Sequence, residues 1–156
     1  MQKTNAMRQL DQKKIAYEVK EIENPEGLSG VQLASKAGED PDRVFKTLVT
    51  VGQSKNHYVF VIPVAKELDL KKAAKVVGEK NIAMIPQKEL LGLTGYIHGG
   101  CSPIGMKKFF KTTFHMTALE GDYILFSGGK VGVQVKLDPK DIEKIIKVEY
   151  KDIVTN

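Results

Sequence analysis

The segment "YIHGGCSPIGMKK", residues 96–108, contains two adjacent glycines, the only cysteine of the chain and a proline. Glycines allow backbone N–H groups to approach a ligand closely, and proline stiffens the loop that carries them. The segment could therefore hold rigid N–H donors for a carbonyl oxygen or a phosphate, although an ordinary tight turn would use the same residues. The residues concerned are Gly99, Gly100, Cys101 and Pro103.

Cys101 is a candidate nucleophile, but its surroundings in the sequence favour a structural role. A catalytic thiol needs a pKa lowered by a histidine, a cation or a helix N-terminus. Within a few residues, His98 is the only candidate for such a group. A small thiol that fills a turn is therefore the better interpretation of Cys101.

Lys46 is notable because it interrupts an apolar strand. In "VFKTLVTV", residues 44–51, strand alternation places Lys46 between Val44 and Leu48 on one face. A buried lysine is rare without a partner or a task, whereas a lysine on an edge strand protects against aggregation. The strand pattern alone favours the second explanation.

The sequence predicts no metal or cofactor site. His57, His98 and His115 are far apart, and a single cysteine cannot supply a pair of zinc ligands. The segment "SGGKVG", residues 127–132, lacks the spacing of a phosphate-binding loop and is interpreted as a hairpin. The chain also lacks the G-x-S-x-G pattern, so no serine hydrolase triad is indicated.

The charge of the chain favours a polyanionic partner. Lysine and arginine outnumber aspartate and glutamate by 24 to 19, which gives a net charge of +5, and only Arg8 and Arg43 are arginines. Lysines meet phosphates as point charges, whereas arginine forks read guanine edges, so backbone contact is favoured over sequence readout. A solvated, lysine-rich surface would explain the same composition.

No segment has the length of a membrane span or a signal peptide. The longest apolar run, "YVFVIPVA" at residues 58–65, is far shorter than the roughly 20 residues that cross a bilayer. The N-terminal residues 1–14 lack an apolar core, and one cysteine cannot form an internal disulfide. We therefore expect a soluble protein of the cytoplasm, with no membrane partner.

Hydrophobic periodicity and capping residues predict interleaved helices and strands. The predicted helices are a short N-terminal one with Met7 and Leu10, one from Ser29 to Gly38, one from Asp69 to Gly78, one after Pro86, and one after Asp138. The predicted strands are one around residues 15–19, a hairpin of 44–51 and 57–64, one at 81–85, and two around a Gly-Gly turn within 122–137.

This order predicts an α/β fold with α+β character. Hairpins make part of the sheet antiparallel, so we expect a mixed, curved and partly barrel-like sheet flanked by helices. A chain of 156 residues can bury about two thirds of the surface of its unfolded form, so residues 1–156 are expected to form a single domain.

Four segments, in this order, resemble the YbaK/EbsC family. Its members are free-standing deacylases of misacylated tRNA, related to the editing domain of some prolyl-tRNA synthetases. The resemblance runs from about Asn5 to Tyr150 and implies a YbaK-like editing domain that removes cysteine from tRNA(Pro) and also from Cys-tRNA(Cys). The segments are "VFKTLV" at 44–49, "ELDLKKAAKVVG" at 67–78, "TGYIHGGCSPIGMKK" at 94–108 and "SGGKVGVQVKL" at 127–137.

The resemblance also implies roles for individual residues. The lysine of the family falls on Lys46, and its G-x-x-x-P loop falls on Gly99 to Pro103, with Cys101 at a variable position. Some members carry a tyrosine and an acid where this chain has Ile22 and Gln134, which could alter activity or thiol preference. Besides the loop and Lys46, the residues expected to bind the substrate are Thr47, Ser102, Ile22, Gln134, Lys71, Lys72, Lys107 and Lys108.

For the mechanism, the resemblance implies that the thiol of the substrate attacks its own carbonyl and releases a cyclic thioester. Backbone N–H groups would stabilise the oxyanion, and Lys46 would hold the terminal phosphate or ribose. Two alternatives remain open: an Ala-tRNA(Pro) deacylase that uses water, and a non-catalytic module that binds tRNA 3′ ends or a synthetase. The resemblance points to prolyl-tRNA synthetase as a partner in a ternary complex, and to neither DNA nor a cofactor.

Overall fold

Eight strands form two sheets in this computed structural model, which describes residues 2–156. The strands are β1 Glu18–Glu21, β2 Phe45–Gly52, β3 His57–Pro63, β4 Ile82–Met84, β5 Lys111–His115, β6 Ile124–Lys130, β7 Val133–Leu137 and β8 Val148–Lys151. The larger sheet has the order β4-β2-β3-β5-β8, and the smaller one has the order β1-β7-β6.

Helices connect these strands, and their ends follow the predicted caps. Ser29 accepts the N–H of Gln32 at 3.2 Å, and Asp69 accepts the N–H of Lys71 at 3.0 Å. None of the helices among residues 2–156 has the length and apolar character of a membrane span. The helices are α1 Asn5–Gln12, α2 Gly30–Lys36, α3 Leu70–Val77, α4 Leu90–Thr94, and three 3-10 helices at Gln87–Glu89, Met116–Glu120 and Pro139–Lys144.

The sheets confirm the mixed α/β fold that the sequence predicts. In the larger sheet, β2 pairs antiparallel with β3, while β5 pairs parallel with both β3 and β8. The smaller sheet is antiparallel throughout. Instead of one curved sheet there are two, which meet where Val44 pairs with Leu125, and they do not close into a barrel.

Both sheets contribute to the main hydrophobic core. Phe114 of β5 lies between Phe45 of β2 and Phe126 of β6, with ring centroids 6.4 Å and 6.5 Å away. Each buried aromatic ring contributes roughly 1.5–3 kcal/mol of hydrophobic free energy, so these contacts hold the sheets together. A second core lies on the other face of the larger sheet, where Ala73 of α3 packs near Phe60.

One local prediction is wrong. The Gly-Gly pair does not form the turn between β6 and β7, because β6 continues through Gly128 and Gly129 with a bulge that ends at Lys130. The turn is instead at Val131 and Gly132. The φ of Gly132 is +80°, a value that favours glycine. The helix predicted after Asp138 is present as a 3-10 helix, Pro139–Lys144, and the Asp138 side chain caps it.

Candidate functional site

A cavity of about 460 Å³ opens where the two sheets meet, between α2, β2 and residues 99–103, which we call the glycine-rich loop. This volume is in the range of small-molecule sites, and most of the lining is apolar with a few polar groups. The cavity brings together residues that lie far apart in the sequence. The residues that the sequence predicts and that line it are Lys46, Thr47, Gly99, Cys101 and Gln134.

β2 reaches the cavity through a gap in strand pairing. On one side, Lys46 pairs with Ile62 of β3. On the other side, β4 pairs with β2 only from Thr50 to Gly52, and β6 joins this part of the chain by an isolated bridge between Leu125 and Val44. At Lys46, β2 is therefore paired on one side only, and its unpaired side borders the cavity.

Among residues 2–156, Lys46 supplies the only formal charge of the cavity lining. The lining contains no aspartate or glutamate, and Lys46 forms no ion pair among residues 2–156. The side chain is half-buried, so its ammonium group is partly removed from solvent. An uncompensated cation in such surroundings attracts an anion or a developing negative charge.

Two buried oxygen atoms in the cavity wall have no hydrogen-bond partner within the described part of the chain. They are Oγ1 of Thr47 and Oε1 of Gln134. A buried polar atom without a partner costs free energy, and such groups in a native protein usually await a ligand or water. Both oxygens accept hydrogen bonds, so a ligand with donor groups fits this wall.

The glycine-rich loop presents its backbone to the cavity. Gly99 has a φ of +85°, which favours glycine, and it lines the cavity together with Cys101. The N–H of Gly100 donates to the carbonyl of Ile97 at 3.0 Å and is therefore occupied. Within residues 2–156, the N–H groups of Gly99 and Cys101 make no backbone hydrogen bond, so they are the donors left for a ligand.

The packing of Gly100 fixes the position of the loop. A Cβ atom at Gly100 would lie 3.1 Å from the backbone nitrogen of Val131 and 3.2 Å from the Cα of Lys130. Because these are backbone atoms at the end of β6 and in the turn that follows it, they cannot move as a side chain can. The absence of a side chain at Gly100 therefore allows the loop to lie against this turn.

The Cys101 side chain is buried in the main core. Burial raises the pKa of the Cys101 thiol to about 12, although a contact with Thr94 lowers it slightly. At neutral pH the sulfur is therefore protonated and a poor nucleophile. The structure agrees with the interpretation of Cys101 as a small, buried thiol.

Other predicted residues lie outside the cavity. Ile22 is behind the wall, where its N–H donates to the carbonyl of Gly132 at 2.8 Å. Ser102 is buried within the loop, and its Oγ accepts the N–H of Ile104 at 3.5 Å. Pro103 lines a second cavity. These three residues support the site from outside its lining.

The predicted lysines are spread over two surfaces. Lys72 of α3 is engaged, since its Nζ donates to the carbonyl of Val154 at 2.8 Å and pairs with Asp152 at 3.0 Å. Lys71 is exposed on the same helix. Lys107 and Lys108 are exposed near the loop, and Lys108 lines the second cavity. Of these four lysines, Lys107 and Lys108 are the nearest in sequence to the glycine-rich loop.

Sequence reasoning missed the wall that α2 contributes. Ser29, Gly30 and Leu33 line the cavity, although the pattern indicated only a helix cap and an apolar face. A Cβ at Gly30 would lie 2.8 Å from Val64 of the opposite wall, so this glycine permits close approach. His98 and Ser127 also line the cavity. In the sequence, Gly30 directly after the Ser29 cap was the available sign of a close approach.

An ion cluster anchors the end of α2 to the smaller sheet. Glu39 lies 2.8 Å from Nζ of Lys20 on β1 and 3.2 Å from Nζ of Lys136 on β7. Burial raises the pKa of Glu39, but the two lysines outweigh it and hold the pKa below its ordinary value. The charged cluster therefore fixes one wall of the cavity at neutral pH.

Among the described residues, the cavity thus offers the ammonium group of Lys46 and the backbone N–H groups of Gly99 and Cys101, and no activated side-chain nucleophile lines it. Within residues 2–156, no group of three or more metal-ligating side chains is present. Such a pocket suits a substrate that is already activated, because it offers binding and charge stabilisation rather than a nucleophile.

Comparison with known proteins gives the family. The sequence profile of the aminoacyl-tRNA editing domain matches residues 25–145. An Enterococcus faecalis protein named "Putative Cys-tRNA(Pro)/Cys-tRNA(Cys) deacylase EbsC" is 44% identical over 155 residues, which cover 99% of this chain and 94% of that protein. The chain therefore belongs to the family of aminoacyl-tRNA editing domains, as its four segments predict.

Solved structures confirm the fold. One, described as "Crystal structure of a putative trans-editing enzyme for prolyl tRNA synthetase", has a TM-score of 0.86 and 22% identity, and each chain is covered completely. A second, described as "Crystal structure of hypothetical protein APE2540", has a TM-score of 0.88 and 17% identity, with 97% of this chain and all of that one covered. The similarity spans both sheets.

Proposed function

We propose that this protein is a trans-editing deacylase that removes cysteine from mischarged tRNA(Pro) and also from Cys-tRNA(Cys). Its family and the name of its 44% identical relative support deacylation of aminoacyl-tRNA. Editing is needed because a synthetase pocket for proline rejects a similar or smaller amino acid by only about 1–3 kcal/mol per missing group. A second site must therefore remove the error.

The observation that carries this proposal is the set of groups around Lys46. The lysine shares the cavity with the unpaired oxygens of Thr47 and Gln134 and with the free N–H groups of the loop. The oxygens can accept hydrogen bonds from the α-ammonium group of an aminoacyl ester. The lysine can hold the terminal phosphate or ribose, so the two ends of the substrate have separate partners.

The substrate supplies the nucleophile in the proposed reaction. The cysteine sulfur bonds to its own ester carbonyl, the carbon–oxygen bond to the ribose breaks, and the thiol proton ends on the ribose oxygen. The products are a four-membered cyclic thioester and free tRNA. No side chain of the protein forms a covalent bond, which agrees with a cavity that lacks an activated nucleophile.

The loop stabilises the negative charge that develops on the carbonyl oxygen. We assign this role to the N–H groups of Gly99 and Cys101, because the N–H of Gly100 already donates to Ile97. Gly100 acts by allowing the loop to pack, and Pro103 acts by stiffening it. Gly100 therefore positions the donors rather than being one of them.

The first prediction concerns the thiol of Cys101. Replacement of Cys101 with alanine is expected to leave kcat within about twofold, because the buried sulfur takes no part in the reaction. The free energy of unfolding should fall by about 1 kcal/mol, since a packed sulfur atom is lost. Single-turnover deacylation and chemical denaturation would measure the two effects. A hundredfold loss of activity in a folded variant would assign the sulfur a catalytic role.

The second prediction concerns the packing of Gly100. Replacement with alanine should displace the loop and lower kcat by tenfold or more, because small misplacements of catalytic groups can reduce rates by about a hundredfold. Gly92 is the matched control, since a Cβ there would meet nothing within 4 Å. Gly92→Ala should therefore keep wild-type activity. Equal rates for both variants would show that the loop position is unimportant.

We also infer where the protein acts and with which partner. Aminoacyl-tRNA is made in the cytoplasm, so the proposed substrate places the protein there. We propose that prolyl-tRNA synthetase joins it in a ternary complex on the tRNA, which is supported by the similar fold of the trans-editing protein for prolyl tRNA synthetase. Such a complex would let the synthetase supply selectivity for tRNA(Pro).

The identity of the released product tests the proposed chemistry. Cys-tRNA(Pro) is mixed with the protein, quenched in acid within the first turnover, and analysed by mass spectrometry. The proposal expects a cyclic thioester, which has the mass of cysteine minus one water, before free cysteine accumulates. Free cysteine as the first product, with no thioester at any time, would mean that water attacks the ester.

A further inference from the structure

A second cavity lies on the other side of the glycine-rich loop. Its volume is about 450 Å³, close to that of the first cavity. It is bordered by α1, by residues 103–110 and by the segment before β8. Its lining includes Pro103, Lys108, Phe109, Phe110 and Lys147.

The lining of the second cavity combines aromatic rings with positive charge. Phe109 is 54% exposed, while Phe110 is buried beside it. Lys108 and Lys147 border the same space, and no aspartate or glutamate of the described residues lines it. Half-exposed aromatic rings next to lysines are the features with which proteins bind single-stranded nucleic acid, since bases stack on rings and phosphates meet cations.

The two cavities are close because one loop lines both. Cys101 lines the first cavity and Pro103 lines the second. Residues two positions apart lie at most about 7 Å from each other along the chain. Residues 101–105 between the two linings are buried, and the chain is exposed again at Lys107, Lys108 and Phe109, so a ligand strand from the first cavity would reach Phe109 across the surface of the protein.

We propose that the second cavity binds an unpaired nucleotide of the RNA strand whose 3′ end occupies the first cavity. The base stacks on Phe109, and Lys108 and Lys147 hold the adjoining phosphate. The placement of the 3′ end rests on the proposed function, whereas the binding of single-stranded RNA does not. Phe109 is in this account a binding residue and takes no part in the chemistry.

A binding measurement tests this site without any catalytic readout. The probe is a fluorescein-labelled single-stranded RNA with a CCA 3′ end and no amino acid, and the readout is fluorescence anisotropy. Phe109→Ala should weaken binding about tenfold, and Phe109→Tyr should retain it, because a tyrosine ring also stacks. Leu119→Ala is the matched control, since Leu119 is 47% exposed and lines neither cavity.

A salt titration of the same binding tests the lysines. Lys108→Gln should reduce the dependence of binding on salt concentration by about one unit of the logarithmic slope. Lys140→Gln, at an exposed lysine outside both cavities, should leave the slope unchanged. Thermal unfolding of each variant checks that the fold is intact.

Several outcomes would overturn the proposal. If wild type does not bind this RNA, or if Phe109→Ala binds it as tightly as wild type and Leu119→Ala do, then the cavity is not an RNA site. If Phe109→Ala keeps RNA binding but loses affinity for a protein partner, the surface belongs to that partner instead.

Kinetics separate this proposal from the proposed function. With Cys-tRNA as substrate, Phe109→Ala should raise KM about tenfold at unchanged kcat, whereas its rate with the small ester cysteine methyl ester should equal that of wild type. RNA binding that depends on Phe109, in a protein that deacylates neither substrate, would support the second site and contradict the proposed function.

Discussion

Replacement of Lys46 with alanine is expected to lower kcat for the loss of cysteine from Cys-tRNA(Pro) by about 100- to 1,000-fold. In the part of the chain that the structure describes, Lys46 is the only formal charge of the cavity lining, and no carboxylate there competes for it. Removing a group that stabilises charge or orients the substrate in a partly desolvated site commonly has an effect of this size. Single-turnover assays with a radiolabelled cysteine ester would measure the loss.

Lys151→Ala is the control for this prediction. Lys151 is an exposed strand lysine that lines neither cavity, so its replacement changes the net charge equally but should keep the rate. Because Lys46 forms no ion pair among the described residues, its replacement should also leave thermal stability nearly unchanged. Equal rates for wild type and Lys46→Ala would remove Lys46 from the mechanism.

The second large effect is expected for the amino acid on the tRNA. Cysteine should leave tRNA(Pro) at least about 100-fold faster than alanine, because an internal thiol reacts without the entropic cost of recruiting water. Size alone changes binding by about 1–3 kcal/mol per missing group, or about 10- to 200-fold, so a substrate of the size of cysteine that lacks the thiol is needed to separate the two effects. The two charged tRNAs would be compared at equal protein concentration.

Seryl-tRNA is the matched substrate for this comparison. Serine has nearly the shape of cysteine, but its hydroxyl group is a far weaker nucleophile at neutral pH than a thiol. Seryl-tRNA should therefore react about as slowly as alanyl-tRNA. If alanine left as fast as cysteine, attack by water on Ala-tRNA(Pro) would become the better account of the cavity.

Much of the local structure could be predicted because short-range rules determine it. Ser29 and Asp69 cap helices as their sequence contexts predict, and Gly78 ends α3 with a φ of +78°. The hairpin of β2 and β3 follows from two β-rich runs and a polar turn. The single domain over residues 1–156 stays a prediction.

The cavity could not be predicted from local patterns, because distant segments build it. The gap in strand pairing beside Lys46 exists because β4 is short and the bridge from β6 falls at Val44, which depends on strand pairing across the chain. The occupied N–H of Gly100 depends on how the loop turns back towards Ile97. The resemblance to the family predicted which residues belong to the site, whereas their contacts could be read only from the structure.

The Gly-Gly pair illustrates a related difficulty. Gly128–Gly129 and Val131–Gly132 lie in the same segment, and local preference favours the two adjacent glycines as the turn. The structure uses Gly128 for packing instead, since a Cβ there would lie 3.1 Å from Val133 and 3.4 Å from Met7. Contacts with α1, which is distant in sequence, decide where the strand ends.

Multiple turnover of Cys-tRNA(Pro) tests the central claim most directly. Purified protein is mixed with a hundredfold excess of Cys-tRNA(Pro), and the acid-stable cysteine ester is followed over time beside a protein-free reaction. The account predicts that nearly all of the ester disappears much faster than in the control, so that each protein molecule acts many times. Ester loss at the spontaneous rate, with tRNA binding intact, would contradict an editing enzyme and indicate a non-catalytic binding module.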